Sequence, residues 1–199
     1  MKNFRELVQI LRGRSVFIQT HNFPDPDAIS SAFGLQRLLK YFDIESTLCY
    51  EGRIDLLNTR KMLKLFGIEI YSYEQIEGKM TETDAIICVD SQKHAGNIRD
   101  FIGDEIACID HHPTFVPIEY EYKDVRMTGA CATIIASYYY DLKIQPDSDV
   151  ATALSYGIRM DTLQLSRGVT QLDIDMFAYL YPFSNRDQLS QLEKNHMEI

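Results

Sequence analysis

The pattern of apolar and polar positions alternates between two periods along the chain. In the first segment, apolar residues recur every three or four positions from Phe4 to Leu11, which is helical spacing. Residues 15–20 are then mostly apolar or β-branched and predict a buried strand. The same reasoning predicts helices at 4–11, 28–42, 55–66, 129–142, 148–159, 170–180 and 185–194. It predicts strands at 15–20, 45–50, 68–71, 84–90, 105–110 and 116–122.

This alternation of strands and helices predicts the fold class. Strands that are joined by right-handed helical crossovers form a parallel sheet that helices cover. We therefore expect an α/β domain with a mostly parallel β-sheet sandwiched by helices, in which residues 116–122 form an edge strand. The polar segment 91–101 is compatible with one further helix. Residues 185–199 continue a helical pattern without a stop signal, so we expect residues 1–184 to form the domain and residues 185–199 to begin a connecting helix.

The composition is that of an ordinary globular domain, with 199 residues of which 45% are apolar and 25% are charged. Asp and Glu (29) outnumber Lys and Arg (20), and the net charge of −9 excludes a broad basic surface for nucleic acid. No apolar run approaches the roughly 20 residues of a membrane span, and the charged N-terminal segment is not typical of a signal peptide. The four cysteines form no C-x-x-C pair, so we expect reduced core thiols in a cytoplasmic protein.

Acidic and imidazole side chains collect at the ends of three predicted strands. His21 follows the strand 15–20, Asp90 ends the strand 84–90, and Asp110 ends the strand 105–110. Because ligands of open parallel sheets bind beyond the carboxyl ends of the strands, we expect these ends to border one crevice. A further acid follows the helix 148–159. The crevice then contains the side chains of His21, Asp25, Asp27, Asp90, Asp110, His111, His112 and Asp161.

So many acids need compensating charge if they share a crevice. Two like charges 4 Å apart repel by ~4 kcal/mol at an effective dielectric of 20. Shared protons, as in paired-carboxylate acid–base sites, would relieve part of this repulsion, and divalent cations would relieve more of it. Carboxylates and imidazoles without a thiolate suit Mn²⁺ best, with Mg²⁺ or Co²⁺ as alternatives, and argue against a closed structural zinc site.

The spacing of the first group suggests how two cations would share the ligands. In an extended loop, Asp25 and Asp27 point the same way, so each can serve a different ion while His21 joins Asp25. The two oxygens of Asp90 can bridge the pair. Two metal ions ~3.5–4 Å apart clamp a phosphoryl group for in-line attack by the hydroxide between them.

Residues outside this pattern have simpler interpretations. We expect His94 and His196 at the surface, and Ser30 and Ser31 as capping and packing residues, although a helix N-terminus can also seat a phosphate. Arg159 is expected to be solvated or ion-paired, with a phosphate contact as the alternative. Taken singly, an aspartate at a strand end is usually a cap or turn residue, and only the joint occurrence of the group favours a metal site.

Four motifs carry a family resemblance. They are His21-Asn-Phe-Pro-Asp-Pro-Asp-Ala-Ile-Ser-Ser-Ala32, Val89-Asp90, Asp110-His-His112 and Gly157-Ile-Arg-Met-Asp-Thr162. In this order they resemble the motifs of the DHH phosphoesterase superfamily, over Val16 to about Pro182. The resemblance implies two Mn²⁺ ions and hydrolysis of phosphoester or phosphoanhydride bonds.

The resemblance also implies a role for each residue. His21 and Asp25 are implied as ligands of one ion, and Asp90 as the carboxylate that bridges the two ions. The ligands that it implies for the second ion are Asp27, His111 and Asp161. Asp110 is implied to orient a histidine, and His112 to face the substrate phosphate as a hydrogen-bond donor or general acid.

The substrate is less well defined than the chemistry. The run from Asp27 to Ala32 resembles the nano-RNase and 3′-phosphoadenosine-5′-phosphate phosphatase group, which implies a small phosphorylated or nucleotide substrate, including short single-stranded oligonucleotides. A pyrophosphatase or exopolyphosphatase is the alternative enzyme, and a non-catalytic nucleotide-binding regulatory domain is the alternative of another class. The sequence is also compatible with a homodimer.

The chain departs from the family pattern at two points. Met160-Asp161-Thr162-Leu163 stands where the family usually has Thr-Asp-Thr-Gly, so the aspartate is kept while Met160 and Leu163 replace a threonine and a glycine. The glycine-rich, histidine-containing substrate loop of the family's C-terminal domain does not occur in this sequence, so we expect that domain to lie outside this chain.

Overall fold

A computed structural model describes residues 3–194, and in that range it contains six strands and eight α-helices. The strands are β1 (Val16–Thr20), β2 (Ser46–Tyr50), β3 (Ile70–Ser72), β4 (Ala85–Val89), β5 (Asp104–Asp110) and β6 (Tyr122–Val125). The helices are α1 (Phe4–Leu11), α2 (Pro26–Tyr41), α3 (Leu57–Phe66), α4 (Tyr73–Ile76), α5 (Cys131–Leu142), α6 (Ser148–Asp161), α7 (Gln171–Leu180) and α8 (Arg186–Glu193). The α/β fold class that the sequence predicts is confirmed.

The six strands form one parallel sheet in the order β3-β2-β1-β4-β5-β6. The chain builds the sheet outward from β1 to β3, returns to the middle, and then builds outward from β4 to β6. The strand order therefore reverses between β1 and β4, and such a switch point opens a crevice at the carboxyl ends of the two strands. His21 directly follows β1 and Asp90 directly follows β4, so both border this crevice.

The two faces of the sheet carry hydrophobic clusters of different size. Helices α2, α5 and α6 pack against one another over one face and contribute most of the large core. The opposite face carries a smaller cluster, in which α4 and Phe101 cover Phe17 and Ile86. All four cysteines are buried and none forms a disulfide, as the sequence predicts.

Helix α2 begins two residues earlier than the predicted helix 28–42. Asp25 caps it, since its Oδ1 accepts a hydrogen bond from the Ala28 N–H at 3.0 Å, and Pro26 occupies the first helical position. Asp25 and Asp27 therefore lie at the first turn of a helix, and not on the extended loop assumed from the sequence. The cap fixes both residues at the carboxyl edge of the sheet.

The region between β4 and β6 differs most from the prediction. Residues 116–121 form no strand, and β6 starts only at Tyr122, where it pairs with β5. Pro117 has no N–H to donate to a strand ladder, which explains why the alternating pattern around it does not extend the sheet. Residues 91–101 form turns and bends rather than a helix, and the short helix α4 was not predicted.

Helix α8 packs against α3 and α6 through the buried residues Leu189 and Leu192. The rest of the predicted connecting helix, residues 195–199 with His196, lies outside the described residues. Within residues 3–194, no helix is long and apolar enough to span a bilayer.

Candidate metal centre

The carboxyl edge of the sheet brings the predicted side chains together from five elements. His21 follows β1, Asp90 follows β4, and Asp110 ends β5 directly before His111 and His112. Helix α2 contributes the carboxylates of its first turn. Helix α6 contributes Asp161, its last residue, where the sequence predicted a helix end near residue 159.

Three groups of ligand atoms lie side by side at this edge; two of them match the predicted ligand sets, and the third joins Asp90 and His111 to His112. In the first, His21 Nε2 lies 3.8 Å from Asp25 Oδ1 and 3.6 Å from Asp90 Oδ2. In the second, His111 Nε2 lies 3.8 Å from Asp27 Oδ2 and 3.4 Å from Asp161 Oδ2. Within each group, one ligand atom per residue can be chosen so that all lie within 4.8 Å of one another. This spacing is compatible with one cation in each of the two matching groups.

Asp90 connects the two groups. Its Oδ2 faces His21, whereas its Oδ1 lies 3.3 Å from His111 Nε2. The carboxylate is almost fully buried, and its residue adopts a left-handed backbone (φ 59°) that turns the chain out of β4. Each oxygen of Asp90 therefore serves one group, which is the arrangement a bridging ligand requires.

Backbone carbonyl groups orient both histidines. His21 Nδ1 lies 2.8 Å from the Asn22 carbonyl oxygen, and His111 Nδ1 lies 3.0 Å from that of Thr128. A carbonyl oxygen only accepts hydrogen bonds, so each Nδ1 carries the proton and each Nε2 points its lone pair at the carboxylates when the ring is neutral. This arrangement is common for histidines that bind metals, because the second contact fixes the tautomer.

The N-terminus of α5 holds Asp27. Its Oδ2 accepts from the Cys131 N–H at 2.7 Å, and its Oδ1 accepts from the Ala132 N–H at 2.9 Å. The carboxylate thus faces the positive end of the helix dipole and accepts from two amide groups that have no partner within the helix. Asp27 is 1% exposed and would be costly to bury without such donors.

The pKa values of several of the clustered side chains are raised, so that the cluster retains protons that offset its negative charge. Burial by itself lowers the pKa of the two histidines, but hydrogen bonds and nearby charges outweigh it, from Asp25 and Asp90 for His21 and from Asp90 and Asp27 for His111. The result is a pKa of about 9 for His21 and about 10 for His111. Burial raises the pKa of Asp27 and of Asp90.

Among the described residues, the buried Oδ1 of Asp90 has no hydrogen-bond donor other than the His111 ring, and Nε2 of that ring, 3.3 Å away, can donate to it only when the ring is protonated. When the His111 ring is neutral, the lone pair of its Nε2 therefore faces oxygen atoms of three carboxylates, those of Asp27, Asp90 and Asp161. A proton on the ring relieves this in part, and a divalent cation satisfies every atom. The residues present thus fit a divalent metal ion, and oxygen and imidazole donors suit Mn²⁺ or Mg²⁺.

Asp110 and His112 lie beside the two groups and have a different environment. Asp110 Oδ1 lies 2.8 Å from His112 Nδ1, and Asp110 Oδ2 accepts from Gln92 Nε2 at 2.8 Å. Burial raises the pKa of Asp110, but these hydrogen bonds lower it below its usual value, so the carboxylate is ionised. The side chain of His112 is 49% exposed against 10% for His111. The exposed ring is therefore free to contact a substrate, whereas the buried ring is not.

Two further residues support this arrangement, and neither is predicted from the sequence pattern. Gln92 also donates to the His112 carbonyl oxygen and accepts from Thr114 Oγ1, so it joins both ends of the turn after β5. Asp173 on α7 is fully buried and accepts from the Gly129 N–H and from Thr133 Oγ1, which ties α7 to the start of α5. The pattern Thr170-x-x-Asp173 signals a helix cap in the sequence, but not this contact across the fold.

The remaining candidates take structural roles. Ser30 donates to the Asp27 carbonyl oxygen inside α2, and Ser31 Oγ lies 3.5 Å from Asp27 Oδ1, as capping and packing residues would. Arg159 pairs with Glu193 and bonds to Gln164, so it is an ion-paired arginine. His94 is exposed, as expected.

A known protein family and a curated protein share sequence similarity with this chain. The model of the DHH family, N-terminal domain, matches residues 15–158. Over 179 residues the chain is 32% identical to the uncharacterized protein MJ1633 of Methanocaldococcus jannaschii, covering 89% of this chain and 37% of that protein.

Two solved structures share the fold. A putative family II inorganic pyrophosphatase from Methanococcus jannaschii is 26% identical, with a TM-score of 0.69 over 90% of this chain and 60% of that chain. An exopolyphosphatase-related protein from Bacteroides fragilis is 19% identical, with a TM-score of 0.76 over 96% of this chain and 59% of that chain. The chain thus spans about a third of its curated relative and about three fifths of the two solved structures.

Proposed function

The chain belongs to the DHH family, and we propose that it is a metal-dependent hydrolase of phosphoester or phosphoanhydride bonds. The observation that carries the proposal is the pair of ligand groups that Asp90 joins, since a carboxylate with one oxygen in each group suits a two-cation site. A family match over most of the chain and a pyrophosphatase neighbour support the same reaction class.

The proposed ligands divide between two cations. His21 and Asp25 would hold the first ion, and Asp27, His111 and Asp161 would hold the second. Asp90 would be the ligand that the two ions share. We propose Mn²⁺, with Mg²⁺ or Co²⁺ as alternatives, because the ligands are carboxylates and imidazoles without thiolate. Two bound divalent cations supply Lewis acidity and an activated water at neutral pH.

The protein's own residues then position the substrate and handle a proton. Ionised Asp110 holds the Nδ1–H of His112, so Nε2 of the exposed ring is free to face a phosphate oxygen. The hydrogen bond with Asp110 raises the pKa of His112, which favours a ring that carries a proton on Nε2. His112 is therefore suited to donate that proton to the leaving oxygen, as a general acid does.

Two substrate classes remain candidates. The first is a small nucleotide, either a short single-stranded oligonucleotide or a molecule of the 3′-phosphoadenosine 5′-phosphate type, which the first motif favours. The second is pyrophosphate or polyphosphate, which the 26% identical pyrophosphatase favours about equally. We further propose that residues 1–184 are the catalytic domain, that residues 185–199 begin the connection to a substrate domain, and that the protein acts in the cytoplasm. A homodimer is compatible with these proposals.

Removal of Asp90 tests the proposal. In Asp90→Ala both cations lose their shared ligand, so bound Mn²⁺ should fall below two per chain in calorimetric titration. Release of phosphate from pyrophosphate and 3′-phosphoadenosine 5′-phosphate, and of mononucleotide from a dinucleotide, should fall more than a hundredfold, since changing residues that merely support ligands costs 10–100-fold. Asp104→Ala is the matched control, because Asp104 is an exposed aspartate at the opposite end of β5.

Three outcomes would contradict the proposal at different levels. Normal activity and metal content in Asp90→Ala would refute the bridging role. Two bound Mn²⁺ without turnover of any of the three substrates in the wild type would favour a nucleotide-binding regulatory domain. Equal losses in Asp104→Ala would show a general effect of removing a carboxylate from β5.

A further inference from the structure

A cavity of about 230 Å³ opens beside His112, next to the candidate metal centre. Its wall includes Ser91, which follows Asp90 directly, and Asn97 from the turns after β4. Pro113 and Phe115, from the loop after β5, complete the part of the wall that matters here. Because His112 lines the cavity and its Nδ1 lies 3.8 Å from Asp90 Oδ1, the cavity adjoins the candidate metal centre.

Phe115 gives the cavity an aromatic surface that the fold does not use. Its ring is 82% exposed, the most exposed of the large apolar side chains among residues 3–194. An aromatic ring at that exposure contributes little to the core, but it offers a flat surface on which a base can stack.

Asn97 and Ser91 add polar groups to the same wall. Ser91 Oγ donates to Asn97 Oδ1 at 2.8 Å, which fixes the orientation of the amide. The Asn97 NH₂ group donates no hydrogen bond to the described residues. It is therefore available to pair with an acceptor on the edge of a planar ligand.

Asp110 and His112 are the ionisable side chains among the residues that line the cavity, and they pair with each other, with Asp110 Oδ1 2.8 Å from His112 Nδ1. Gln92 Nε2 donates to the other oxygen of Asp110. The lining residues include neither a lysine nor an arginine, the side chains that most often bind a phosphate group. The rest of the wall is uncharged and therefore suits a neutral planar group better than an anionic one.

We propose that this cavity is a subsite for a heteroaromatic base, in which Phe115 stacks on the base and Asn97 contacts its edge. The inference rests on the proposed function and deepens it, because it selects a nucleotide over pyrophosphate or polyphosphate as the substrate. A volume of about 230 Å³ lies below the 300–1,000 Å³ typical of drug-sized ligands and suits a single base.

The chain has no tryptophan, so Phe115→Trp creates a unique fluorophore at the cavity. We expect adenosine 5′-monophosphate to quench its emission saturably in the presence of Mg²⁺. Ribose 5-phosphate and inorganic phosphate should leave the emission unchanged, because they lack the base. Tyr41→Trp is the control, since Tyr41 is 66% exposed at the far end of α2, ~22 Å from its start, and should respond to none of the three.

Phe115→Ala supplies a second measurement that needs no fluorophore. Loss of the stacking surface should weaken calorimetric binding of adenosine 5′-monophosphate about five- to hundredfold, which is the range measured for base–aromatic stacking. Tyr41→Ala should bind it as the wild type does.

The proposal is overturned if ribose 5-phosphate quenches Phe115→Trp as the nucleotide does, if the nucleotide leaves it unchanged, or if Phe115→Ala binds as tightly as the wild type. Failure of the proposed function would look different. In that case base-dependent quenching would persist, while no phosphate substrate would be turned over with Mn²⁺.

Discussion

Gly157 lies where α6 packs against α2, and replacing it by alanine tests how tightly this packing fixes the candidate metal centre. A Cβ atom at this position would overlap Ser30 Oγ and lie 3.2 Å from Ala132 Cβ. Ser30 Oγ donates at 3.0 Å to the carbonyl oxygen of Asp27, a proposed metal ligand. The change therefore forces α6 away from α2, or displaces Ser30 from its hydrogen bond.

The magnitude follows from three contributions. Overpacking of a tight contact costs about 1–3 kcal/mol. Loss of the Ser30 hydrogen bond costs about 1 kcal/mol. Alanine is a better helix former than glycine by about 1 kcal/mol, which offsets part of this cost. We expect Gly157→Ala to be less stable by about 2 kcal/mol, a fall in Tm of about 4–8 °C for a chain of this size.

A double-mutant cycle identifies the cause. Ser30→Ala removes the overlapping oxygen, so Ser30→Ala/Gly157→Ala should recover most of the lost stability in thermal and urea unfolding. Metal titration of the same variants should show weaker Mn²⁺ binding in Gly157→Ala and recovery in the double variant, because α2 carries Asp25 and Asp27. The reasoning is refuted if Gly157→Ala is as stable as the wild type, or if the two changes destabilise additively.

Three further predictions concern the support of the site. Gln92→Met keeps the side-chain length but removes the hydrogen bond to Asp110, the carboxylate that orients His112. We expect kcat to fall about 10–100-fold with unchanged Mn²⁺ stoichiometry. An unchanged kcat would contradict this. Leu163 is half-exposed and has a left-handed backbone (φ 46°). Leu163→Gly should therefore raise the free energy of unfolding in urea by about 0.5–1 kcal/mol. A lower free energy of unfolding would show instead that the leucine side chain contributes packing. In metal-free protein, protonated His21 and His111 stabilise the fold fully below about pH 6.5, and this contribution is lost as pH rises through about 9 and 10. Scanning calorimetry should show Tm falling over that range without metal but not with saturating Mg²⁺, and equal falls in both would oppose a metal at these histidines.

Much of the fold and the cluster could be predicted because their signals are local. A strand that ends in an acid places that acid at the carboxyl edge of a parallel sheet, whatever the details of packing. Asp90 and Asp110 satisfy this rule, and the structure brings both to one edge. Leu163 was noted as a departure from glycine, and its left-handed backbone is the conformation that glycine adopts most easily.

The supporting contacts could not be predicted because their partners are distant in sequence. Gln92 lies 18 residues from Asp110, and Asp173 lies 40 residues from Thr133. A single glutamine in a polar segment carries no pattern that distinguishes such a contact from exposure to solvent. The predicted start of α2 at residue 28 is wrong for a related reason, since Pro26 is typical of loops but proline is also favoured in the first helical turn.

The strain at Asp90 and the repulsion around it indicate that folding and cation binding are coupled. A glycine after β4 would adopt the backbone at φ 59° more easily, but it would remove a carboxylate that reaches both ligand groups. Without a cation, its buried Oδ1 has no hydrogen-bond donor other than the protonated His111 ring among the described residues, and protons on His21 and His111 offset part of the acidic charge. A ligand that binds the folded state alone stabilises it in proportion to the logarithm of its concentration. Cations that displace these protons would therefore stabilise the fold at this edge of the sheet as well as serve the proposed reaction. The gain in stability should be largest at alkaline pH, where the two histidines lose their protons.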